Sequence, residues 1–422
     1  MKKIFLTILL YLIYLSGFSQ INFTIKNFHE QPVFARYILD KAYPVDTLST
    51  SKNGEYSFNK KIDSGIYILL MGQKYVEFPV GENQRLNFSL DYNQEEIQKS
   101  LHVTGCNDNV LFQEFLMLKN AEEMARFSKQ NANSIQDDFI KAYLKSVTPI
   151  IPPAGANDTV RFYYFRNHIW DGVNLTIPQM LNSPVIAKKL DYFFNNMIVQ
   201  NPDTVIFHIK KLMVRPMADT IKHYALDFLI HYTFESKIMG MEKAFVWLSE
   251  NYFVNGKCFW IDEKALKTIT EQYELNRFCL VGQKGKNLKL TDSENKPFQL
   301  EQLNCDFTLL LIYDIGCGSC KKVVEELNLK YSDLFLKGVE IVALNTETDR
   351  EKWISYIKEH KISDWHNVMD FDNSTNYHTF YGVQQTPIIY LLDKQNNIIG
   401  KKLTVDQVFQ ILSTLKDKTQ KS

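Results

Sequence analysis

The chain of 422 residues has no excess of either charge: 48 Lys and Arg face 48 Asp and Glu. A nucleic-acid surface needs a clustered basic surplus, and none is present. The short basic runs, at Lys321-Lys322 and in the C-terminal KDKTQKS, read as solvated lysines. Glycine (17) and proline (12) are sparse, which argues against a long disordered segment. Metal-ligand patterns are also missing. HEQPV, at His29, carries Val33 where H-E-x-x-H requires its second histidine. His208, His223 and His231 show no clear ligand set at i, i+4 or with a carboxylate in register, and read as surface or core histidines.

What the chain has is core material. Apolar residues make up 45%, with 29 Phe and 22 Tyr, and the length suits two or three domains of roughly 100–200 residues each. The first residues read MKKIFLTILLYLIYLSGFSQ. Lys2 and Lys3 precede an apolar run from Ile4 to Leu15, and small residues follow at Ser16, Gly17 and Ser19. This is the pattern of an export signal cut between Ser19 and Gln20. The run is shorter than the roughly 20 residues of a spanning helix; the alternative is an uncleaved anchor. No cysteine lies near the cut to take a lipid, and no later run has spanning length. Removing Lys2 and Lys3 leaves 46 basic against 48 acidic residues. The expectation is a soluble mature chain in the periplasm or on the outer face of the cell envelope. In an oxidising compartment, cysteine pairs read as redox groups before metal clamps.

Beyond the signal (1–19), three stretches differ in grammar. Residues 20–104 alternate apolar and polar positions in INFTIKN, EYSFNKKI, GIYILLM, YVEFPV and RLNFSL, with turns at SKNGEY and DSGIY. They predict an antiparallel β domain, a sandwich. Residues 105–278 carry helical periodicity, with Asn107 and Asp108 as cap candidates and breaks at Pro152-Pro153, Pro184, Pro202 and Pro216. They predict an all-α domain. Residues 279–422 alternate strand runs (residues 307–313, VEIVALN, IIYLLD, NIIGKKL) with helices, opened by a hairpin in LKLTDSENKPFQLEQL. They predict an α/β domain with parallel pairing and a closing antiparallel hairpin. The chain is therefore expected to be multidomain: β, then α, then α/β.

Two of the six cysteines stand as C-x-x-C in YDIGCGSCKKVVEEL. Cys317 follows an apolar strand, while Cys320, Val323, Val324, Leu327 and Tyr331 recur at helical spacing. Cys317 thus falls at a helix start, where unpaired backbone N–H groups and the helix dipole favour a thiolate. Cys320, one turn inside, is suited to resolve a mixed disulfide. Gly318 and Ser319 keep the turn small. A zinc site would need two further ligands at comparable spacing, and no second C-x-x-C exists. Two incidental thiols is the other open reading. Cys106, Cys258, Cys279 and Cys305 carry no motif and allow three pairings; Cys106 also falls at a helix start.

Strand-CGSC-helix, then Tyr381-Gly382-Val383 and Thr386-Pro387 before a hairpin, resembles the thioredoxin superfamily over residues 280 to about 415. The resemblance is to its exported TlpA/ResA-like branch. It implies catalytic Cys317 and Cys320 and a cis Pro387 facing them. Thr386, Pro387 and Gly316 would lie against the substrate backbone, with no cofactor and no metal. The resemblance implies protein thiol or disulfide substrates and a redox protein that donates or accepts electrons. It also departs from pattern. Gly316 replaces the usual Trp, and Gly318-Ser319 a dipeptide that often contains Pro. The family's two carboxylate positions hold Leu311 and Val323, leaving Asp314 and Glu326 as the nearby acids. The layout also resembles envelope proteins whose front domains of unknown function precede such a module, which implies partner selection by those domains.

The sequence therefore predicts an exported thiol–disulfide oxidoreductase of either redox direction. The alternative is an envelope binding or assembly protein whose thioredoxin-like module is a scaffold of little catalytic activity. Peroxide reduction is a third reading, but Asp314 stands where that chemistry wants Thr or Ser.

Overall fold

In a computed structural model, residues 17–18, 20–49 and 54–419 are described. The apolar N-terminal run and its expected cut lie outside them. The chain forms two compact units, one of residues 1–200 and 207–229, the other of 201–206 and 230–422. The helices of the central stretch are divided between the two units. Among the described residues, no helix is long and apolar enough to cross a membrane.

In the first unit the period-2 segments form two four-stranded sheets. Gln20–Lys26 buries Ile21, Phe23 and Ile25, and Arg85–Asp91 buries Leu86, Phe88 and Leu90. These strands pair in parallel, Phe23 opposite Phe88, inside a sheet expected to be wholly antiparallel. Their rings stack with centroids 5.4 Å apart, and one core cluster joins side chains of both sheets. Helices follow. Asn120, Asp137 and Asn157 cap three of them by accepting from a backbone N–H in the first turn. The first helix, Asn107–Leu116, departs from expectation, since its N-cap is Cys106. Asp108 instead turns its buried carboxylate to accept from the Gln136 and Asp137 backbones, at 3.1 and 2.7 Å.

The second unit contains the α/β domain, whose elements are numbered here from its own start. Its strands are β1 (Lys289–Asp292), β2 (Pro297–Gln299), β3 (Phe307–Tyr313), β4 (Val339–Asn345), β5 (His366–Met369), β6 (Ile388–Asp393) and β7 (Ile398–Lys401). Its helices are α1 (Gly318–Leu329), α2 (Tyr331–Leu336), α3 (Arg350–Glu359), α4 (Tyr377–Phe380) and α5 (Val405–Thr419). The sheet order is β2-β1-β5-β4-β3-β6-β7. β3–β4 and β4–β5 are parallel, and β3–β6, β6–β7, β1–β5 and β1–β2 antiparallel. β3 is central and buried on both faces. Leu309, Leu311 and Tyr313 enter one core cluster, Leu310 and Ile312 another. That burial explains why β3 reads as a continuous apolar run rather than an alternating one.

The helix Glu263–Asn276 packs in this unit. Lys401, buried at the end of β7, donates from Nζ to Asn276 Oδ1 at 2.9 Å and lies 3.5 Å from Glu242 Oε1. Phe278 and Phe380 meet edge to face with centroids 5.4 Å apart. Gly382 has φ +53°, and a Cβ there would come 2.2 Å from the Leu275 carbonyl oxygen. Left-handed backbone and a backbone clash both act against a side chain at this position. Gly382→Ala is therefore expected to cost more than about 2 kcal/mol, read as a lowered urea midpoint; an unchanged midpoint would refute this packing.

Candidate active site

β3 ends at Tyr313, and a tight turn follows. Gly316 N donates to Asp314 Oδ1 at 2.6 Å, and Cys317 N to the Asp314 carbonyl at 3.2 Å. The turn places Cys317 in extended backbone as the N-cap of α1. Its sulfur does what an Asn or Asp oxygen does elsewhere in the chain, accepting from Cys320 N at 3.4 Å. Ser319 Oγ lies 2.9 Å from the same sulfur. α1 is held by Cys320, Val324 and Leu327, all buried in the core cluster beneath it.

Across from Cys317 stands the loop before β6. The Thr386–Pro387 bond is cis, and the Thr386 carbonyl lies 3.7 Å from Cys317 Sγ. Cys317, Thr386 and Pro387 are half-buried, Gly316 is exposed, and Cys320 is fully buried. The structure thus brings Cys317, Cys320 and Thr386 together. Gly316 contributes its N–H to the turn.

The two sulfurs differ in acidity. A hydrogen bond from the Cys320 thiol, then one from the Ser319 hydroxyl, bring Cys317 down to about 7, helped by the backbone N–H groups of both residues and opposed by burial. Burial above all pushes Cys320 up to about 11. Its donation to Cys317 adds to the rise, while the Asp314 backbone opposes it. Donors at an N-cap were legible in the C-x-x-C spacing. The Ser319 hydroxyl was not, because the small dipeptide gave no sign that its side chain would turn toward the sulfur.

Among the described residues, no carboxylate bonds to Cys320. Leu311 is buried in β3 and Val323 packs against the core. Asp314 holds the turn, and Glu326 pairs with Lys330 at 3.0 Å. None of the six cysteines, all among the described residues, is in a disulfide. Cys106 Sγ accepts from Gln84 Nε2 at 3.3 Å, and Cys279 donates to the Leu275 carbonyl at 3.4 Å. Cys258 is buried, and Cys305 lies 3.4 Å from Thr308 Oγ1. His223 and His231 share the helix Asp219–Phe234, while His208 lies edge-on to Phe193 on another. Among the described residues, no group of three or more His, Cys, Asp or Glu could hold a metal ion.

Residues 304–398 match a thioredoxin-like family model. The thiol-disulfide oxidoreductase ResA of Bacillus cereus is 26% identical over 121 residues, 29% of this chain and 68% of that protein. ResA of Bacillus anthracis is 24% identical over 119 residues, 28% of this chain and 67% of that protein. A solved domain of a possible thiol-disulfide isomerase from Cytophaga hutchinsonii is 29% identical, covering 35% of this chain and all of that one, with TM-score 0.33. A thioredoxin-like protein from Bacteroides caccae is 21% identical over 63% of this chain and 97% of its own, with TM-score 0.46. The C-terminal domain has the thioredoxin-like fold, similar to the TlpA/ResA type.

The thiolate is the species that alkylates. Iodoacetamide should therefore modify Cys317 with a rate that rises through a midpoint at about pH 7, while buried Cys320 stays unmodified there. Ser319→Ala removes a donor to the thiolate, so the midpoint should move up, by about half a unit to one unit. A midpoint near that of free cysteine in the parent chain would contradict this geometry.

Proposed function

We propose that this chain is an exported thiol–disulfide oxidoreductase acting on protein disulfides through Cys317 and Cys320. One observation carries the reading: on one helical turn, Cys317 caps the helix with its sulfur accepting from Cys320 N at 3.4 Å while Cys320 is fully buried, which drives the acidities of the two thiols apart. Cys317 is reachable and a substantial fraction of it is thiolate at neutral pH, so it attacks a client disulfide. Cys320 is protonated and shielded, so it acts second, on the mixed disulfide.

The similarity of the C-terminal domain to thiol-disulfide oxidoreductases supports the reaction class. The Thr386 carbonyl beside Cys317 suits an extended client segment laid along the loop as an added strand, with Pro387 and Gly316 bordering it. The pair needs a redox partner to reset it, and its reduction potential decides whether it reduces or oxidises clients. Export to the periplasm or the outer face of the envelope is proposed from the charged start and apolar run of the N-terminus. The sheets and helices ahead of the domain are proposed to select the partner.

Cys320→Ser removes the resolving sulfur and should leave clients bound to Cys317 as mixed disulfides in envelope extracts, released by dithiothreitol. Cys317→Ser should bring insulin-disulfide reduction to the uncatalysed level. If no client is trapped under any redox condition and the parent chain reduces no disulfide, the module is a scaffold instead.

A further inference from the structure

The helix Asp158–His168 of the first unit has no buried residue. A helix of this length is marginal by itself, and packing of one face normally secures it. Its outward side chains are large. Phe162 and Tyr163, 42% and 48% exposed, meet edge to face with centroids 5.7 Å apart. The Arg166 guanidinium lies over the Tyr163 ring, 4.6 Å from its centroid. The helix Pro202–Met213 repeats the arrangement in the part that belongs to the same unit. There Phe207 is 51% exposed, and Lys211 Nζ lies 4.7 Å from its ring centroid.

His208 links the two faces. It stands edge-on to Phe207 and to Phe193, each with its centroid 5.1 Å away. Phe193 in turn meets Trp170, just past the end of the first helix, at 6.0 Å. Burial, then Arg166, then Lys211 hold His208 below the ordinary histidine range, and no carboxylate of the described residues opposes them. Residues 158–171 and 207–215 carry five Lys or Arg against Asp158 and Asp171, and Asp171 is taken up by His168 at 2.6 Å. Among the described residues, no carboxylate pairs with Arg166 or Lys211. A cation over a ring keeps its charge and still seeks an anionic acceptor. The rings lie under their cations and are only half exposed, so the face is flat. That shape suits a peptide laid across it better than acyl chains, which take side chains that project.

We propose that Phe162, Tyr163, Arg166, Phe207 and Lys211 form a docking surface for an acidic peptide segment of a protein partner. Carboxylates of the segment meet the two cations, and its apolar side chains cover the rings. The inference rests on the partner selection proposed above for the elements ahead of the α/β domain, and gives that selection a place and a chemistry.

The test titrates the full chain against a fluorescein-labelled peptide of Glu, Phe and Gly, read by anisotropy, with a peptide of Lys, Phe and Gly as control. The acidic peptide should bind and the basic one should not, and binding should weaken about tenfold between about 50 and about 300 mM NaCl. Arg166→Glu combined with Lys211→Glu should weaken it by about tenfold or more, and Tyr163→Ser by about threefold, at an unchanged unfolding temperature. Lys119→Glu combined with Lys129→Glu, at exposed lysines elsewhere in the unit, changes net charge equally and should leave affinity within about twofold. No binding of the acidic peptide, or equal loss in both double variants, would overturn the surface. So would binding only to vesicles containing phosphatidylglycerol, or a dimer of the chain that the Arg166 and Lys211 substitutions dissolve. Alkylation of Cys317 in that variant should match the parent. A parent chain that reduces no disulfide, yet binds the peptide at these residues, would remove the oxidoreductase reading and leave the docking surface standing.

Discussion

The chemistry of the second unit depends on one hydrogen-bond acceptor, the Cys317 sulfur at the start of α1. A helix start leaves backbone N–H groups unpaired, and this chain answers that need repeatedly with side-chain oxygens, as at Asn120, Asp137, Asn157, Asp262 and Asp349. At α1 the acceptor is sulfur, which carries the role best when negatively charged. Cys106 provides an internal comparison. It too is an N-cap, yet its sulfur accepts no bond from its helix and faces Gln84 instead. A cysteine at a helix start is therefore not enough. At Cys317 the turn is tied down by Asp314, which accepts from both Gly316 N and Cys317 N, and the sulfur accepts from Cys320 N.

Asymmetry between the two sulfurs follows from where the chain must put them. β3 is buried on both faces, so the turn after it emerges at the surface and exposes the first cysteine. One turn later, helical spacing carries the second into the core layer beneath α1. Desolvation then raises the pKa of one sulfur while donors, including the buried thiol itself, lower that of the other. Each sulfur helps to hold the other in its state, so exposure and charge coincide on the atom that attacks.

Much of this was legible in the sequence, for identifiable reasons. Strands and helices of the α/β domain follow periodicity and caps, which are local. The C-x-x-C spacing fixes the relation of the two sulfurs, because helix geometry leaves little choice. The resemblance, not the spacing, pointed to the loop at Thr386-Pro387. Pairwise facts between distant residues stayed hidden. The parallel pairing of Gln20–Lys26 with Arg85–Asp91 is one: two alternating strands read the same in either direction. Lys401 is another. In the run NIIGKKL nothing local marks which lysine is buried, and the partner of Lys401, Asn276, lies 125 residues away.

These distant pairs also bear on how far the working module extends. The family match covers residues 304–398, yet the segment leading to Thr386 is held from outside it. Gly382 sits against the Leu275 carbonyl, Phe380 against Phe278, and β7 is tied to Asn276 and Glu242 through Lys401. Glu263–Asn276 is helical by sequence and precedes the α/β pattern, so composition assigns it to the helical stretch. By packing it belongs with the sheet, because it closes one side of the 377–383 segment. The Thr386 carbonyl can stay opposite Cys317 only if that segment is fixed, and part of what fixes it lies upstream of residue 280. The smallest piece that preserves the site is therefore larger than the region in which the thioredoxin-like pattern can be read.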